Sequence, residues 1–319
     1  MKKYHVTALG ELLIDFTENG LSNQGNFLME ANPGGAPCNV LAMLQKLGKK
    51  TAFIGKVGND FLGKHLKTVV EEVGIDTRNL LLDENVHTTL AFVHTYADGD
   101  RDFSFYRNPG ADMNLRAEEI DEELIAESEV FHFGSLSLTH SGVREATKKA
   151  LRIAKDNGCL ITYDPNLRPP LWNTLEEAKE QIAFGMQWCD VMKISDNEIQ
   201  WFTGKEDFDE GIRILQDTYH IPLILLSMGR DGSRAYYQDR KVEAKPFLQK
   251  NTIETTGAGD TFCACVINYV LEHGLQNLTD ENLLEMLTFA NAAASLITTR
   301  KGALRVMPEK ADVEAMLAK

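Results

Sequence analysis

Short apolar runs rich in β-branched and aromatic residues recur at Tyr4 to Leu9, Thr51 to Val57, Val130 to Phe133, Leu160 to Tyr163, Val191 to Ile194 and Leu223 to Ser227. Between them lie segments whose apolar positions return at helical spacing. Strands that are apolar on both faces and alternate with helices predict an α/β fold, a mainly parallel sheet covered by helices on each side. Right-handed crossovers then bring the carboxyl ends of the strands to one edge, where ligands are expected.

Two stretches depart from this rhythm. Leu12 to Glu30 and Thr88 to Arg107 alternate with period 2, and Ala97-Asp98-Gly99-Asp100 supplies a hairpin turn within the second. They predict a small β-sheet, built from about 11–31 and 87–108, that either closes over the ligand edge as a lid or forms edge hairpins without a role. No repeat, low-complexity tract or linker divides the 319 residues, so residues 1–319 are read as a single domain carrying this insertion. Gly48 is expected to end a helix running through Val40 to Leu47, and Ser141 to precede one that runs toward Asn157-Gly158.

Charge narrows the partners. Against 33 Lys and Arg stand 47 Asp and Glu, a formal charge of −14, which disfavours nucleic acid and anionic membrane surfaces and leaves a small molecule or another protein. Met1 to Gly10 shows no long apolar run or small-residue cleavage site, and no membrane-length apolar segment follows, so a cytoplasmic location is expected. The five cysteines, Cys38, Cys159, Cys189, Cys263 and Cys265, lie in apolar sequence without a C-x-x-C spacing and are expected to be buried thiols.

Candidate chemistry concentrates on turns that open helices. Thr255-Thr256-Gly257-Ala258-Gly259-Asp260-Thr261 runs directly into an apolar helix. The amides of Gly257, Ala258 and Gly259 can cradle an anion at a helix amino terminus, while Asp260 either accepts a proton from an attacking hydroxyl or merely caps the helix. Pro33-Gly34-Gly35-Ala36-Pro37-Cys38-Asn39 is a second such turn. There Asn39, together with Asp15 on the preceding strand, suits a vicinal diol, unless the turn is only a helix start.

Gly58-Asn59-Asp60-Phe61-Leu62-Gly63-Lys64-His65 has the spacing of a phosphate loop but sets His65 where a hydroxyl must hold magnesium, and it is read as a capped helix. Leu226-Ser227-Met228-Gly229-Arg230-Asp231-Gly232 is either a bed for a nucleotide or a tight turn. Lys193, Ser195 and Glu198 follow one strand, and Asp164, Asn166 and Arg168 follow another, at the expected ligand edge. No zinc-protease, G-x-S-x-G or dinucleotide-binding spacing is present.

Taken together, these stretches resemble the ribokinase-like (PfkB) family of carbohydrate kinases. Gly34 to Val40 with Leu47-Gly48 is similar to its amino-terminal signature, and Thr255 to Phe262 to its carboxyl-terminal one. The resemblance covers essentially the whole chain. It implies a three-layer α/β/α fold with a small β-lid, ATP and Mg2+ as cofactors, and transfer of the γ-phosphoryl group to a sugar hydroxyl.

Residue by residue, the resemblance implies Asp260 as catalytic base, with Gly257, Ala258 and Gly259 as the anion hole. It implies Asp15, Gly34, Gly35 and Asn39 as sugar ligands, Ser227, Gly229 and Gly232 along the nucleotide and Asn291 facing the adenine, while Lys193, the cation that its place after a strand puts at the same edge, is expected to reach the nucleotide as well. Glu198 would organise Mg2+ through water. Two departures stand out: the family's N-x-x-E reads Ser195-Asp196-Asn197-Glu198, and Glu254 opens the second signature where Asp is usual. Glu254 bears on a monovalent-cation site, with K+ as its candidate ion. Phe105 to Met113 and Asp164 to Trp172 are most similar to fructokinases, which implies D-fructose as acceptor. Arg107 and Arg168 would hold oxygens of substrate or nucleotide. Kinases of 2-keto-3-deoxygluconate share such arginines and form the alternative, beside ribokinase- or nucleoside-kinase-like acceptors and a non-catalytic sugar-binding protein. Family members often pair through their lids, so a homodimer is a further expectation.

Overall fold

The computed structural model describes residues 2–95 and 101–318. The predicted turn at Ala97 to Asp100 lies outside them. In chain order the elements are β1 (Tyr4–Leu9), β2 (Leu13–Leu21), β3 (Phe27–Gly34), α1 (Ala36–Lys46), β4 (Thr51–Gly58), α2 (Phe61–Val73), β5 (Asp76–Asp83), β6 (Leu90–Thr95) and β7 (Arg101–Tyr106). There follow α3 (Glu122–Ala126), β8 (Ser128–Gly134), α4 (Ser141–Asp156), β9 (Leu160–Asp164), α5 (Leu175–Met186), β10 (Val191–Ser195), α6 (Asp196–Thr203) and α7 (Phe208–Tyr219). The chain closes with β11 (Leu223–Ser227), β12 (Ser233–Tyr237), β13 (Arg240–Ala244), α8 (Ala258–His273), α9 (Asp280–Ile297) and α10 (Lys310–Leu317).

Among the described residues, nine strands form one sheet in the order β13-β12-β11-β10-β9-β8-β1-β4-β5. All neighbours from β11 to β5 run parallel, and the antiparallel pairs β11–β12 and β12–β13 finish one edge. Two apolar cores flank this sheet. Residues of α1, α2, α8 and α9 fill one, and residues of α4, α5, α6 and α7 fill the other, which is the predicted three-layer order. Every one of the six apolar runs is a strand. Their full burial, as for Val6, Phe53, Ile161 and Leu225, contributes roughly 1.5 to 3 kcal/mol per large side chain.

The two period-2 stretches form a separate four-stranded sheet, ordered β3-β2-β6-β7. Its centre is a parallel β2–β6 pair between two antiparallel hairpins, so the two insertions build one sheet together. The first insertion reaches Gly34, beyond the expected limit near residue 31, because β3 runs directly into α1.

Helix ends hold small surprises. Gly48 sits in the left-handed region just past α1, as a terminating glycine should. Helix α1 itself begins earlier than the apolar pattern suggests, at Ala36 with Pro37 in its first turn. Ser141 is the first residue of α4 rather than its cap, a place taken by His140. Asp60 caps α2 by accepting from the Gly63 amide at 2.8 Å, which settles the near-phosphate loop as a helix start. All five cysteines are buried free thiols. No described helix is long and apolar enough to cross a membrane.

Candidate active site

A cavity of about 640 Å³ opens at the carboxyl ends of the parallel strands, beneath the small sheet. The sheet core contributes Glu11 after β1, Leu136 after β8, Asn166 to Pro169 after β9, and Lys193, Ser195 and Glu198 around the end of β10. The chain leaves β1 toward β4 on one side and returns to β8 on the other, so the cavity lies where the strand order reverses. The small sheet covers it with Leu13, Asp15, Thr17, Asn32, Val93 and Phe105, and thus occupies the position of a lid.

Helix α8 points its amino terminus into this space. Gly257 holds the cap position at φ 77°, a backbone that suits glycine, and no side chain caps the helix. Asp260 is therefore not the cap. It sits one turn in, and its carboxylate accepts from Asn39 Nδ2 at 2.8 Å, which joins the two glycine-rich turns across 221 residues of sequence. The Oδ1 atom of Asn39 is buried without a hydrogen-bond partner among the described residues. A buried acceptor left unpaired costs roughly 1 to 3 kcal/mol, so a hydroxyl donor at that point is stabilising.

The turn before α1 is as tight as its glycines imply. A Cβ on Gly34 would fall on Asp15 Oδ2, and Gly35, at φ 125°, would bring one onto the Glu11 carbonyl. Backbone and carboxylate pack here with no room for a side chain.

The cavity is crowded with carboxyl groups. Burial pushes Asp15 up to about 7, against the pull of Arg168 and with the push of Glu254 and Asp260. Asp260 is raised by burial as well, opposed by its bond from Asn39 and by Lys193 and Arg168. Asp164 is raised by burial to about 6 although Lys193 pairs with it at 3.1 Å. Burial alone would lower Lys193, but the Asp164 and Glu198 carboxylates outweigh it and hold the ammonium well above its ordinary value. A Cβ on Gly259 would lie 3.2 Å from Lys193 Nζ, so this cation stands beside the open start of α8.

Glu198 is kept ionised. Burial would raise it, yet Lys193 and hydrogen bonds from Ser195 and Leu167 pull it below its ordinary range. Its Oε1 accepts from the Leu167 amide at 2.7 Å and its Oε2 from the amide and hydroxyl of Ser195, each at 2.8 Å. Glu254 lines the cavity and accepts from the Gly302 amide at 2.9 Å.

Other expected residues lie elsewhere. Arg107 is the clear correction: rather than reaching a ligand from the lid, it is buried at the lid's base and does not line the cavity. Its guanidinium donates to Asp112, to Thr139 Oγ1 at 2.8 Å and to the Leu136 carbonyl at 3.0 Å. Arg168, by contrast, lines the cavity.

Ser227 pairs in register with Ser195 at the same sheet edge but outside the cavity lining. Gly229 and Gly232 both have positive φ, and the Met228 amide donates to the Gly232 carbonyl at 2.9 Å, which makes this segment a tight turn. Asn291 is buried and donates to the carbonyls of Ala244 and Lys245. The sequence reading had no signal for Glu11 or Trp201, which the fold brings into the cavity wall.

The model for "pfkB family carbohydrate kinase" matches residues 3–310. A "Probable fructokinase-2" of Arabidopsis thaliana is 40% identical over 315 residues, covering 98% of this chain and 94% of that one. Among solved structures, a fructokinase from Xylella fastidiosa with bound ATP superposes with a TM-score of 0.89 at 28% identity, over 100% and 99% of the two chains. A fructokinase from Vibrio cholerae O395, in a form with fructose, ADP and calcium ion bound, gives 0.86 at 27% identity over 98% and 99%.

Proposed function

The chain belongs to the pfkB family of carbohydrate kinases and is an ATP-dependent sugar kinase, and from that premise we propose that its acceptor is D-fructose, phosphorylated at the C6 hydroxyl. The observation that carries the site reading is the shared Asn39–Asp260 contact, with the second amide atom of Asn39 left for a sugar hydroxyl. Asp260 takes the proton as the hydroxyl oxygen attacks the γ-phosphorus in line. The amides of Gly257, Ala258 and Gly259, with Lys193 beside them, stabilise the charge that spreads over the transferring group. Asp15, Gly34 and Gly35 hold the remaining hydroxyls.

Two features favour fructose over the keto-acid sugar. Arg107 is committed to Asp112, Thr139 and Leu136, which removes one of the two arginines that an acceptor carboxylate would use. The cavity lining carries Glu11, Asp15, Glu198, Glu254 and Asp260, a set of acceptors that suits the many hydroxyl donors of a neutral polyol.

The strip of Ser227, Gly229, Gly232 and Asn291 is proposed as the bed of the nucleotide. Mg2+ fits this wall: Glu198 lines the cavity and is held below the ordinary carboxylate range, and an ion carried by phosphates and waters needs only one such ionised carboxylate. Bound there, Mg2+ would neutralise phosphate charge. Glu254 and the backbone around Gly302 are proposed to hold K+, tested by replacing K+ with tetramethylammonium in the assay. Exposed Leu21, Phe27 and Tyr106 on the small sheet support a lid-to-lid homodimer, read by sedimentation velocity.

The decisive assay is ADP release with ATP and Mg2+ over D-fructose, 2-keto-3-deoxygluconate, ribose, fructose 6-phosphate and adenosine, with a no-sugar control. A preference for fructose is expected. A preference for the keto acid would reassign Arg168 to its carboxylate, and no sugar-dependent release at all would favour a non-catalytic sugar-binding protein.

A further inference from the structure

Glu11 is a buried carboxyl group that the reaction described above does not use. It sits in the three-residue loop from core strand β1 to lid strand β2 and lines the cavity. Its Oε1 accepts from the amide of Ala36, the first residue of α1, at 2.9 Å. That amide has no intrahelical acceptor and Gly35 in the cap position offers no side chain, so Glu11 supplies from 25 residues away the acceptor that a cap residue would.

The loop and the turn are locked from both sides. A Cβ on Gly10 would meet Pro37 Cγ at 2.6 Å, and one on Gly35 would fall on the Glu11 carbonyl. One turn into α1 stands Asn39, whose amide holds Asp260. A chain of contacts therefore runs from the lid root through Glu11 and Ala36 to Asn39 and the base. We propose that Glu11 is a positioning residue: it fixes the first turn of α1 and thereby sets Asn39, and through it Asp260, relative to the lid. This rests on the reading of Asp260 as base.

The ionisable groups that act electrostatically with Glu11 are Arg107 and Asp112 at the lid base and the Cys38 thiol on α1, which burial keeps neutral. Burial pushes Glu11 up to about 7, so both protonation states are populated near neutrality. Each keeps an acceptor oxygen for Ala36, which makes the role one of geometry rather than charge.

The test compares the full chain with Glu11→Met, which fills the space without an acceptor, and Glu11→Gln, which keeps one. Assays use ATP, Mg2+ and whichever sugar the parent enzyme phosphorylates. Glu11→Met should lower kcat about 10- to 100-fold, the scale of a misplaced catalytic group, with KM for ATP within about twofold. Glu11→Gln should restore kcat to within about threefold. Amide exchange should quicken over the first turn of α1 in Glu11→Met and not in Glu11→Gln.

A folded Glu11→Met with parental kcat overturns the proposal, as does a Glu11→Gln equally impaired. If Glu11→Met does not fold, Glu11→Ala carries the same comparison. A parent enzyme inactive on every sugar would overturn the kinase reading instead. The exchange experiment would then still decide whether Glu11 orders α1.

Discussion

Helices α2 and α8 both open on glycine-bearing turns with an aspartate, and the two aspartates face opposite ways. Asp60 precedes α2 and turns back on it, accepting from the Gly63 amide and from the amide and hydroxyl of Thr88, each at 2.8 Å. Its helix start is filled by its own sequence. Asp260 lies inside α8, three residues past a glycine that offers no side chain, so its carboxylate is free to meet Asn39 while the helix start stays open toward the cavity. Each turn carries two glycines and one aspartate. What separates an open helix start from a capped one is where the acidic residue stands relative to the first helical amide.

Replacing the two aspartates should therefore have opposite signatures. Asp260→Asn keeps the hydrogen-bonding shape and removes the proposed base. We expect kcat to fall about 10²- to 10⁴-fold, with the dissociation constant for ATP, measured calorimetrically, within about twofold. Near-parental turnover would place the base elsewhere.

Lys193→Met comes next. It takes the cation from beside the open turn and leaves the buried Asp164 carboxyl without its partner and beside Glu198. Stripping one partner from a buried pair costs roughly 3 to 5 kcal/mol, so a lowered melting temperature should accompany a fall in kcat of about 10²-fold. A variant that loses stability alone would reduce Lys193 to a scaffold for the carboxylates.

The same contrast has a pH signature. Asp15, in the cavity, titrates near 7 instead of near 4, so between those values the folded protein holds a proton that the unfolded chain has released. That contribution is present at low pH and disappears as pH rises through the window. Asp60 is shifted the other way: burial would raise it, but the bonds from Thr88 and Gly63 lower it below the ordinary carboxylate range, and its contribution is lost only in stronger acid. Melting curves should show Asp15→Asn shrinking the stability gained between pH about 7 and about 5. Asp164 and Glu11 have raised values too, so part of the gain remains. An unchanged gain would mean that Asp15 titrates normally in the fold.

Much of this was legible in the chain. The six apolar runs, the two-part lid and both glycine-rich turns could be read because each depends on residues adjacent in sequence. Strand β5 was not anticipated, since Asp76-Thr77-Arg78-Asn79 at the sheet edge carries no apolar alternation. The sequence shows Arg107 on a lid strand but not that its guanidinium is held by Asp112, Leu136 and Thr139. The last two are about thirty residues further along the chain. Glu11 was passed over for the complementary reason: its partner amide belongs to Ala36, and only the fold brings that helix start to the loop after β1. Local signals located the site, and long-range pairing decided which charged residues enter it.

The smallest expected effect is also the cleanest control on the comparison. Asp60→Ala removes an acceptor shared by three donors at the start of α2, and a lost cap of this kind costs about 1 to 2 kcal/mol. Urea melts should register that loss, while kcat and KM for sugar and ATP stay at parental values, because Asp60 does not line the cavity. Thr88 sits two residues before lid strand β6, so the result also asks whether the lid's root transmits a local loss of stability to the chemistry. Unchanged kinetics would confine Asp60 to the fold. A raised KM for sugar would show that the start of α2 is coupled to the lid, and that the two helix starts differ in degree rather than in kind.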